Sequence, residues 1–329
     1  MNNFWKDITK PVFALAPMED VTDTAFRELV MRISEPGKLH ILFTEFTSVD
    51  GMNHPVGRER VAERLVVTDS ERQWLKKSGV KLVAQIWGKE PELFNRVTKY
   101  ITEHYNFDGI DINMGCPVKN VVKNGACSAL IDQPTRAQEI VLAAKEATHL
   151  PVSVKTRTGI RQHETERWIT QLCEVKPAAI TLHGRTQKMM SEKPADWNEV
   201  AKGVEVRNQL VPDIPFLGNG DVWSYEQGEE YCKTFGTDGI MIGRGIFHNP
   251  WFFNPSKTDI SKTEKLEVLL KHVDLYEAVW QGKRNFNILK RFFKIYANGF
   301  DNASDLRAQL MVCNEPDEVR KIMLPLLSK

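Results

Sequence analysis

The chain has 329 residues, of which 42% are hydrophobic and 26% are charged, and its formal net charge at pH 7 is +1. This composition predicts a packed core and excludes a chain dominated by disorder, and the small net charge means that any nucleic-acid-binding surface must be local. The first ten residues lack an apolar signal-like region, no run approaches the roughly 20 apolar residues of a membrane span, and the five cysteines form no CxxC pair. We therefore expect a soluble, cytoplasmic protein with reduced thiols and without a membrane, a metal or an obligate protein partner.

Short apolar runs rich in β-branched residues recur through the first three quarters of the chain, mostly separated by amphipathic stretches of helical period. This alternation is typical of a parallel sheet that helices cover on its faces. Eight such units in about 250 residues predict an α/β fold, a (β/α)₈ TIM barrel, with a doubly wound sheet as the alternative. The predicted strands are Val12–Leu15, Ile41–Phe43, Leu82–Ile86, Gly109–Ile112, Val152–Val154, Ala179–Leu182, Pro215–Leu217 and Gly239–Ile242. The clearest helical stretches are Thr24–Ile33, Pro91–His104 and Thr135–Thr148.

Nearly every predicted strand is followed at once by a polar or otherwise special residue. Barrel enzymes place their chemistry at the C-terminal ends of the strands, so we expect these residues to share one site. Simple capping of strands by polar residues explains poorly a set that contains Gln, Asn, Lys, His and Arg. In chain order they are Ala16-Pro17-Met18, Thr44-Glu45, Gln85, Asn113, Lys155, His183, Asn219 and Gly243-Arg244.

The pattern changes near residue 255, after which only helical periodicity is present. We predict a barrel domain over residues 1–254 and a small all-α domain over residues 255–329. One helix of the second domain has an apolar face formed by Leu289, Phe292, Phe293 and Tyr296. Its other side carries Lys290, Arg291 and Lys294.

Cys116 lies in the turn Gly115-Cys116-Pro117, which follows the predicted strand Gly109–Ile112. A thiol after a glycine is reachable, and the following proline stiffens the turn. An ordinary thiol has a pKa near 8.5 and keeps its proton at pH 7, and a negatively charged neighbour raises that pKa further. We therefore expect a proton donor rather than a nucleophile, with an inert buried cysteine as the alternative.

Two glycine-rich segments, Gly218-Asn219-Gly220-Asp221 and Gly243-Arg244-Gly245, follow the seventh and eighth predicted strands. Barrels commonly bind phosphate there through backbone N–H groups, and Arg244 adds a fixed charge. Two ordinary tight turns are the alternative.

Lys155 and Arg157 lie two residues apart at the end of the fifth predicted strand. If the strand continues that far, both side chains point to one face, where two cations are costly without an anionic partner. A solvated pair is the alternative. His183-Gly184-Arg185 presents a similar arrangement one strand later, where the histidine could equally be structural.

The sequence resembles the tRNA-dihydrouridine synthase family in a set of segments that spans the predicted barrel in the family's order. The combination is far more specific than any single segment. The resemblance implies an FMN-binding TIM barrel followed by a helical RNA-binding domain, with hydride passing from NADPH through FMN to C6 of a uracil in tRNA. The matching segments are Ala16–Asp23 with Phe26-Arg27, Asp111–Pro117, Val154–Gly159, His183–Thr186, Ala195–Trp197, Gly218–Asp221, Gly243–Gly245 and Asn249–Trp251.

The resemblance also implies roles for individual residues. Cys116 matches the cysteine that protonates C5 of the uracil. Asn113 matches the residue that orients the target uracil, with Arg157 and Arg185 as further candidates. Gly220 and Asp221 belong to the segment expected to bind the flavin phosphate. The other positions that resemble flavin contacts are Pro17, Met18, Gln85, Lys155, His183, Asn219, Gly243 and Arg244.

Two segments depart from the family's pattern. Cys127 stands where the family usually has glycine, so a second thiol is expected near the site. Met190-Ser191 stands where an aromatic residue is common, which leaves the target uridine open.

A cluster of basic residues in the helical region predicts how RNA would be held. Between Glu277 and Asp301 the chain has no acidic residue, and its cations alternate with phenylalanines. These cations are Lys283, Arg284, Lys290, Arg291 and Lys294. A solvated helix is the alternative for this stretch. Three other functions stay open: an FMN barrel oxidoreductase for a free pyrimidine, like dihydroorotate dehydrogenase, a non-catalytic RNA-binding protein, and a Schiff-base aldolase that uses Lys155.

Overall fold

The computed structural model describes residues 3–327, and within them nine parallel strands form a single sheet that closes on itself. Closure occurs because β1 pairs with both β2 and β9, while β2 also pairs with β4. The strands are β1 (Val12–Leu15), β2 (Ile41–Phe43), β3 (Thr47–Ser48), β4 (Lys81–Trp87), β5 (Gly109–Met114), β6 (Val152–Arg157), β7 (Ile180–His183), β8 (Phe216–Asn219) and β9 (Gly239–Ile242). The predicted TIM barrel is confirmed.

Helices between the strands cover the outside of the barrel, as a closed parallel sheet requires, and further helices precede β1 and follow β9. They are α1 (Phe4–Asp7), α2 (Thr24–Ile33), α3 (Val49–Asn53), α4 (Pro55–Ala62), α5 (Asp69–Ser78), α6 (Pro91–His104), α7 (Lys119–Lys123), α8 (Pro134–Glu146), α9 (Thr165–Glu174), α10 (Trp197–Leu210), α11 (Tyr225–Phe235), α12 (Gly245–His248), α13 (Lys262–Trp280), α14 (Asn287–Tyr296), α15 (Ala303–Val312) and α16 (Pro316–Leu327), with 3₁₀ helices at Glu63–Leu65 and Cys127–Asp132. The predicted helices at 24–33 and 91–104 coincide with α2 and α6.

The short strand β3 is absent from the sequence-based prediction. It continues the line of β2 along β4 after an interruption at Thr44, Glu45 and Phe46. There the Thr44 hydroxyl accepts the backbone N–H of Gln85 at 3.1 Å, so a side chain replaces the usual backbone partner. The interruption frees the Glu45 carboxylate, which accepts the backbone N–H of Asp20 at 2.7 Å.

Side chains alternate along each strand between the barrel interior and the helix layer. On β1, Phe13 and Leu15 pack in the helix-layer core, while Val12 and Ala14 belong to the core inside the barrel. That inner core is apolar towards the N-terminal ends of the strands, where Trp5 of α1 fills the barrel. Continuing the alternation towards the C-terminal ends brings polar side chains to the interior.

The helices after β9 pack onto the barrel through α13 and α14. Helix α13 packs against α2 and α16, and α14 packs against α12, α13 and α15. The predicted apolar face of α14 is buried, and Phe292 lies 4.9 Å from Phe26 of α2, measured between ring centroids. The helical C-terminal region is therefore confirmed. The domain boundary at residue 254 stays a prediction, and it falls between Ile242, where β9 ends, and Lys262, where α13 begins. No helix in residues 3–327 is both long and apolar enough to cross a membrane.

Candidate active site

Polar side chains from consecutive strands meet inside the barrel at its C-terminal end. Strand register places Gln85 beside Asp111, Asn113 beside Lys155, and His183 beside Asn219. Lys155 reaches past β7 to β8, where its Nζ donates to Asn219 Oδ1 at 3.1 Å. The structure thus brings together the predicted strand-end residues Gln85, Asn113, Lys155, His183 and Asn219.

Asp111 organises this layer, although sequence reasoning did not single it out. Its carboxylate accepts from Ser153 Oγ at 2.6 Å and from Gln85 Nε2 at 2.7 Å. Gln85 Oε1 in turn accepts from Asn113 Nδ2 at 3.0 Å, which fixes the orientation of both amides. Burial raises the pKa of Asp111 to about 6, although these hydrogen bonds and the charge of Lys155 act to lower it. The sequence signal that could have identified Asp111 is its position two residues before Asn113, which puts both side chains on the same face of the strand.

The turn that carries Cys116 is held from both sides. Asn113 Oδ1 accepts the backbone N–H groups of Gly115 and Cys116, each at 3.0 Å. Arg157 Nε donates to the Gly115 carbonyl at 2.7 Å, and Ser128 Oγ donates to the Cys116 carbonyl at 2.9 Å. The half-buried thiol is therefore presented at the edge of the polar layer by a fixed backbone.

The Cys116 thiol is more acidic than the sequence predicts. A hydrogen bond with the Cys127 thiol lowers the pKa of Cys116 to about 7, helped by the Val118 N–H and the charges of Arg157 and Lys155, and opposed by burial. The pKa of Cys116 therefore departs from the ordinary thiol value expected from the sequence, because the second thiol expected near the site makes a hydrogen bond to it. A negative charge bound nearby would raise the pKa of Cys116 again.

The Lys155 ammonium group has N–H donors inside the barrel beyond the one described in a hydrogen bond. An ammonium group has three donors, and the single hydrogen bond described for Lys155 is the one to Asn219. Burial, followed by the charge of Arg157, lowers the pKa of Lys155 to about 8, while Asp111 raises it. A partly compensated cation beside amide groups fits an electron-rich heteroaromatic ring such as the isoalloxazine of a flavin.

The two glycine-rich segments predicted to bind phosphate meet at an arginine pair. Asp221 accepts from Arg185 Nη2 at 2.5 Å and from Arg244 Nη2 at 2.7 Å. Gly220 has φ +122°, and a Cβ there would lie 2.7 Å from the Ala195 Cβ, so a side chain would be strained and crowded. Around Gly243 an added Cβ would meet nothing closer than 3.9 Å, so its backbone borders open space. A glycine cradle beside a half-exposed arginine fits a phosphate group.

His183 is a neutral imidazole that accepts a hydrogen bond in this network. Burial, then the charges of Arg157, Lys155, Arg185 and Arg244, lowers the pKa of His183 well below its usual range. Arg185 Nη1 lies 2.9 Å from His183 Nε2. Because a guanidinium can only donate, Nε2 accepts and the ring proton lies on Nδ1.

The donors of Arg157 and Arg185 are largely engaged by the protein itself. Arg157 Nη1 donates to the carbonyls of Thr186 and Met190, at 3.0 and 2.8 Å. Arg185 Nε donates to the Lys193 carbonyl at 2.5 Å, in addition to its bonds with His183 and Asp221. These bonds favour positioning roles for both arginines, and direct contact with a substrate stays a prediction.

The loop after β1 connects the site to the helical region. Pro17 is buried, and the Met18 N–H donates to Thr22 Oγ1 at 3.0 Å. Glu45, which holds the Asp20 N–H of this loop, also accepts from Arg284 Nη1 at 3.0 Å. Trp280 Nε1 adds a second tie by donating to Asp23 Oδ2 at 2.6 Å.

Three carboxylates at this junction, Glu19, Asp20 and Glu45, lie within 4.8 Å of one another. Each is paired with an arginine, so their charges are already compensated. The partners are Arg64, Arg291 and Arg284, respectively.

The basic stretch divides into two groups, and the exposed Lys283 belongs with the second. Arg284 is only 8% exposed and is engaged by Glu45 and Glu63, so its predicted place on a phosphate-binding face is wrong. Lys294 and Arg291 are exposed and Lys290 is half-buried, with Arg291 3.4 Å from Asp20. These three residues of α14 stay candidates for RNA contacts.

The closed barrel and the polar layer at the C-terminal ends of its strands define a TIM-barrel enzyme. The dihydrouridine synthase (Dus) family matches residues 14–328. The chain belongs to this family of flavin-dependent, NAD(P)H-using oxidoreductases.

Relatives with related names match nearly the whole chain. The probable tRNA-dihydrouridine synthase 2 of Bacillus subtilis is 42% identical, and the match covers 98% of this chain and 95% of that protein. The probable tRNA-dihydrouridine synthase of Staphylococcus epidermidis is 41% identical with the same coverage. Among solved structures, orotidine 5′-phosphate decarboxylase from Pyrococcus horikoshii matches 82% of this chain and 99% of its own, with 13% identity and a TM-score of 0.46.

Proposed function

We propose that this protein is a tRNA-dihydrouridine synthase that reduces the C5–C6 bond of uridine in folded tRNA, with FMN as cofactor and NADPH as reductant. The observation that carries the proposal is the fixed Cys116 thiol at the edge of a barrel layer built around Lys155. The family match and the names of the relatives support the reaction and the tRNA substrate. Cytoplasm is the expected compartment, because tRNA is the substrate.

FMN fits the donor set described above. When bound and reduced by NADPH, FMN supplies the hydride for C6 of the uracil. Lys155, Gln85 and Asn219 would face its ring, and Gly220, Gly243 and Arg244 would hold its phosphate. Pro17, Met18 and His183 would border it, with Asp221 orienting Arg244.

Cys116 would give its proton to C5. The thiol form is required for this step, and a pKa of about 7 leaves only about half of the groups protonated at neutral pH. A negative charge bound beside Lys155 disfavours the thiolate and so restores the acid form. Positioned proton transfer of this kind is typically worth about 10²–10⁴ in rate.

Asn113 would orient the uracil beside Cys116. Its Oδ1 is occupied by two backbone N–H groups, and its Nδ2 donates one hydrogen to Gln85. The second Nδ2 hydrogen is the donor available to a uracil carbonyl. Arg157 and Arg185 would act with it by fixing the cysteine turn and the segment from Thr186 to Lys193.

The helical region over residues 255–329 would bind tRNA. A uridine in folded RNA must be unstacked to reach a site inside a barrel, which costs a few kcal/mol. Phosphate contacts from Lys290, Arg291 and Lys294 would offset that cost.

The proposal is tested by supplying purified protein with NADPH and either unmodified tRNA, free uridine or orotate. We expect bound FMN by mass analysis, and dihydrouridine formation only in tRNA. Turnover of a free pyrimidine in preference to tRNA would overturn the RNA substrate and favour a small-molecule oxidoreductase. A protein that stays colourless after reconstitution yet binds tRNA would favour a non-catalytic role.

A further inference from the structure

Cys127 lies directly against the active-site cysteine. It begins the 3₁₀ helix Cys127–Asp132, and its neighbour Ser128 donates to the Cys116 carbonyl from both its N–H and its Oγ, at 3.4 and 2.9 Å. A hydrogen bond between the two thiols lowers the pKa of Cys116 and raises the pKa of Cys127. These contacts place the two cysteines next to each other at the edge of the site.

The conformation of Cys127 indicates that its thiol has a use. Its φ is +54°, in the left-handed region that disfavours residues with a Cβ, and it is 1% exposed. A glycine would adopt this conformation without strain. Strain of this kind persists where the surrounding structure enforces it, and it clusters at functional sites.

The two thiols differ in the way that a reactive thiol and its resolving partner differ. Cys116 is half-buried and carries the lower pKa, whereas Cys127 is buried and its pKa is raised. Cys232, the other half-buried cysteine, has its pKa raised by burial to about 11. Thiolate character, access and a neighbouring thiol together are the features of oxidant-sensitive cysteines.

We propose that Cys116 and Cys127 form a site of reversible oxidation by hydroperoxides, with Cys116 as the reacting thiol and Cys127 as the resolving thiol. The Cys116 sulfur attacks one peroxide oxygen, the O–O bond breaks, and the second oxygen leaves as water, so the sulfur is oxidised to a sulfenic acid. The Cys127 sulfur then attacks the Cys116 sulfur, the S–O bond breaks, and the hydroxyl leaves as water with the Cys127 proton. Two thiols and one hydrogen peroxide thus give one disulfide and two waters, and a dithiol returns the two electrons.

The disulfide has two consequences. It protects Cys116 from irreversible oxidation to the sulfinic acid, since the sulfenic acid is consumed by its neighbour. It also removes the thiol proton of Cys116, so dihydrouridine formation stops until the disulfide is reduced. This second consequence rests on the proposed function, whereas the disulfide itself does not.

The chain offers a direct chemical test. Lys119 and Lys123 lie between the two cysteines, so trypsin places Cys116 in peptide 100–119 and Cys127 in peptide 124–136. We expect hydrogen peroxide to join these peptides in the full-length wild-type protein, and dithiothreitol to separate them. Cys127→Gly, which suits the local backbone, and Cys127→Ser should both lose the linked peptide and accumulate Cys116 sulfinic acid. Cys232→Ser is the matched control and should behave like the wild type.

Equal rates of Cys116 sulfinic acid formation in the wild type and both Cys127 variants, without a linked peptide, would overturn the proposal. Activity on tRNA is then compared with each protein's own untreated value. The wild type should lose activity with peroxide and regain it with dithiothreitol, while the Cys127 variants should lose it irreversibly. A linked peptide with undiminished tRNA reduction would support the thiol pair and overturn the proton-donor role of Cys116, so the two proposals fail separately.

Discussion

Arg284 of the helical region and Glu45 of the barrel form an ion pair in which Arg284 Nη1 lies 3.0 Å from Glu45 Oε2, with side-chain exposures of 8% and 1%. Glu45 also holds the Asp20 N–H, so the pair connects the helical region to the loop that carries Met18. Arg284 further lies over the Trp280 ring, 4.0 Å from its centroid. The predicted RNA-binding region is thereby fixed to a wall of the active site.

Replacing Arg284 by Met should lower the free energy of unfolding by about 3–5 kcal/mol, because it leaves a buried carboxylate without its partner. Burial raises the pKa of Glu45 to about 7. The loss should therefore be larger above pH 7, where Glu45 is ionised, than below it, where the carboxyl takes up a proton. Denaturant unfolding at pH 6 and pH 8 measures this difference in the free energy of unfolding.

Arg320→Met is the control, because it removes a more exposed pairing in the same region and should cost at most about 1 kcal/mol. Equal losses for the two variants would contradict a structural role for the Arg284–Glu45 pair.

Lys155→Met should stabilise the flavin-free protein and weaken flavin binding. The folded pKa of about 8 lies below the ordinary value of 10.5, so the charged lysine destabilises the fold below pH 8. That cost, about 1–3 kcal/mol, fades as pH rises from 8 to 10.5. The melting temperature of Lys155→Met should therefore exceed that of the wild type at pH 7, with the gap closing by pH 10. Lys188→Met, at an exposed position, is the control. Unchanged FMN affinity in Lys155→Met would rule out the assigned flavin contact.

The ionisation of Cys116 should be visible in alkylation rates of the flavin-free protein. Reactivity with iodoacetamide should rise with a midpoint near pH 7, since the thiolate is the reacting form. Cys127→Gly removes the hydrogen bond that contributes most to this lowered pKa, so the midpoint should move up towards 9. Cys232, with its pKa raised to about 11, serves as the internal reference. An unchanged midpoint in Cys127→Gly would contradict the thiol–thiol hydrogen bond.

Neutralising Lys290, Arg291 and Lys294 together should weaken tRNA binding and reduce its salt dependence. Each lost phosphate contact makes the negative slope of log K against log salt less steep by roughly 0.7–0.9. Three lost contacts therefore reduce the magnitude of the slope by roughly 2–3. A triple variant of exposed lysines on barrel helices, Lys76, Lys99 and Lys233, has the same change in charge and should keep the wild-type slope. Identical slopes for the wild type and both variants would show that α14 is only a solvated surface.

Most of the barrel could be predicted because period-two and period-3.6 patterns are local. Lys155 and Asn219 were placed at strand ends by such patterns, and the same alternation brings them together inside the barrel. Contacts between distant segments could not be predicted this way. In the sequence, Arg284 is one cation of a basic stretch. The packing of α13 on α2 is what brings Arg284 to Glu45. The low pKa of Cys116 likewise depends on Cys127, which a separate turn places against it.

The most direct test of the proton-donor role separates the two half-reactions in Cys116→Ala. NADPH should reduce the bound flavin at the wild-type rate, because the thiol takes no part in that step. Reoxidation of the reduced flavin by unmodified tRNA, followed by stopped flow with dihydrouridine measured in the product, should slow by about 10²–10⁴. Wild-type rates in both half-reactions, or an equal fall in both, would contradict Cys116 as the proton donor to uridine.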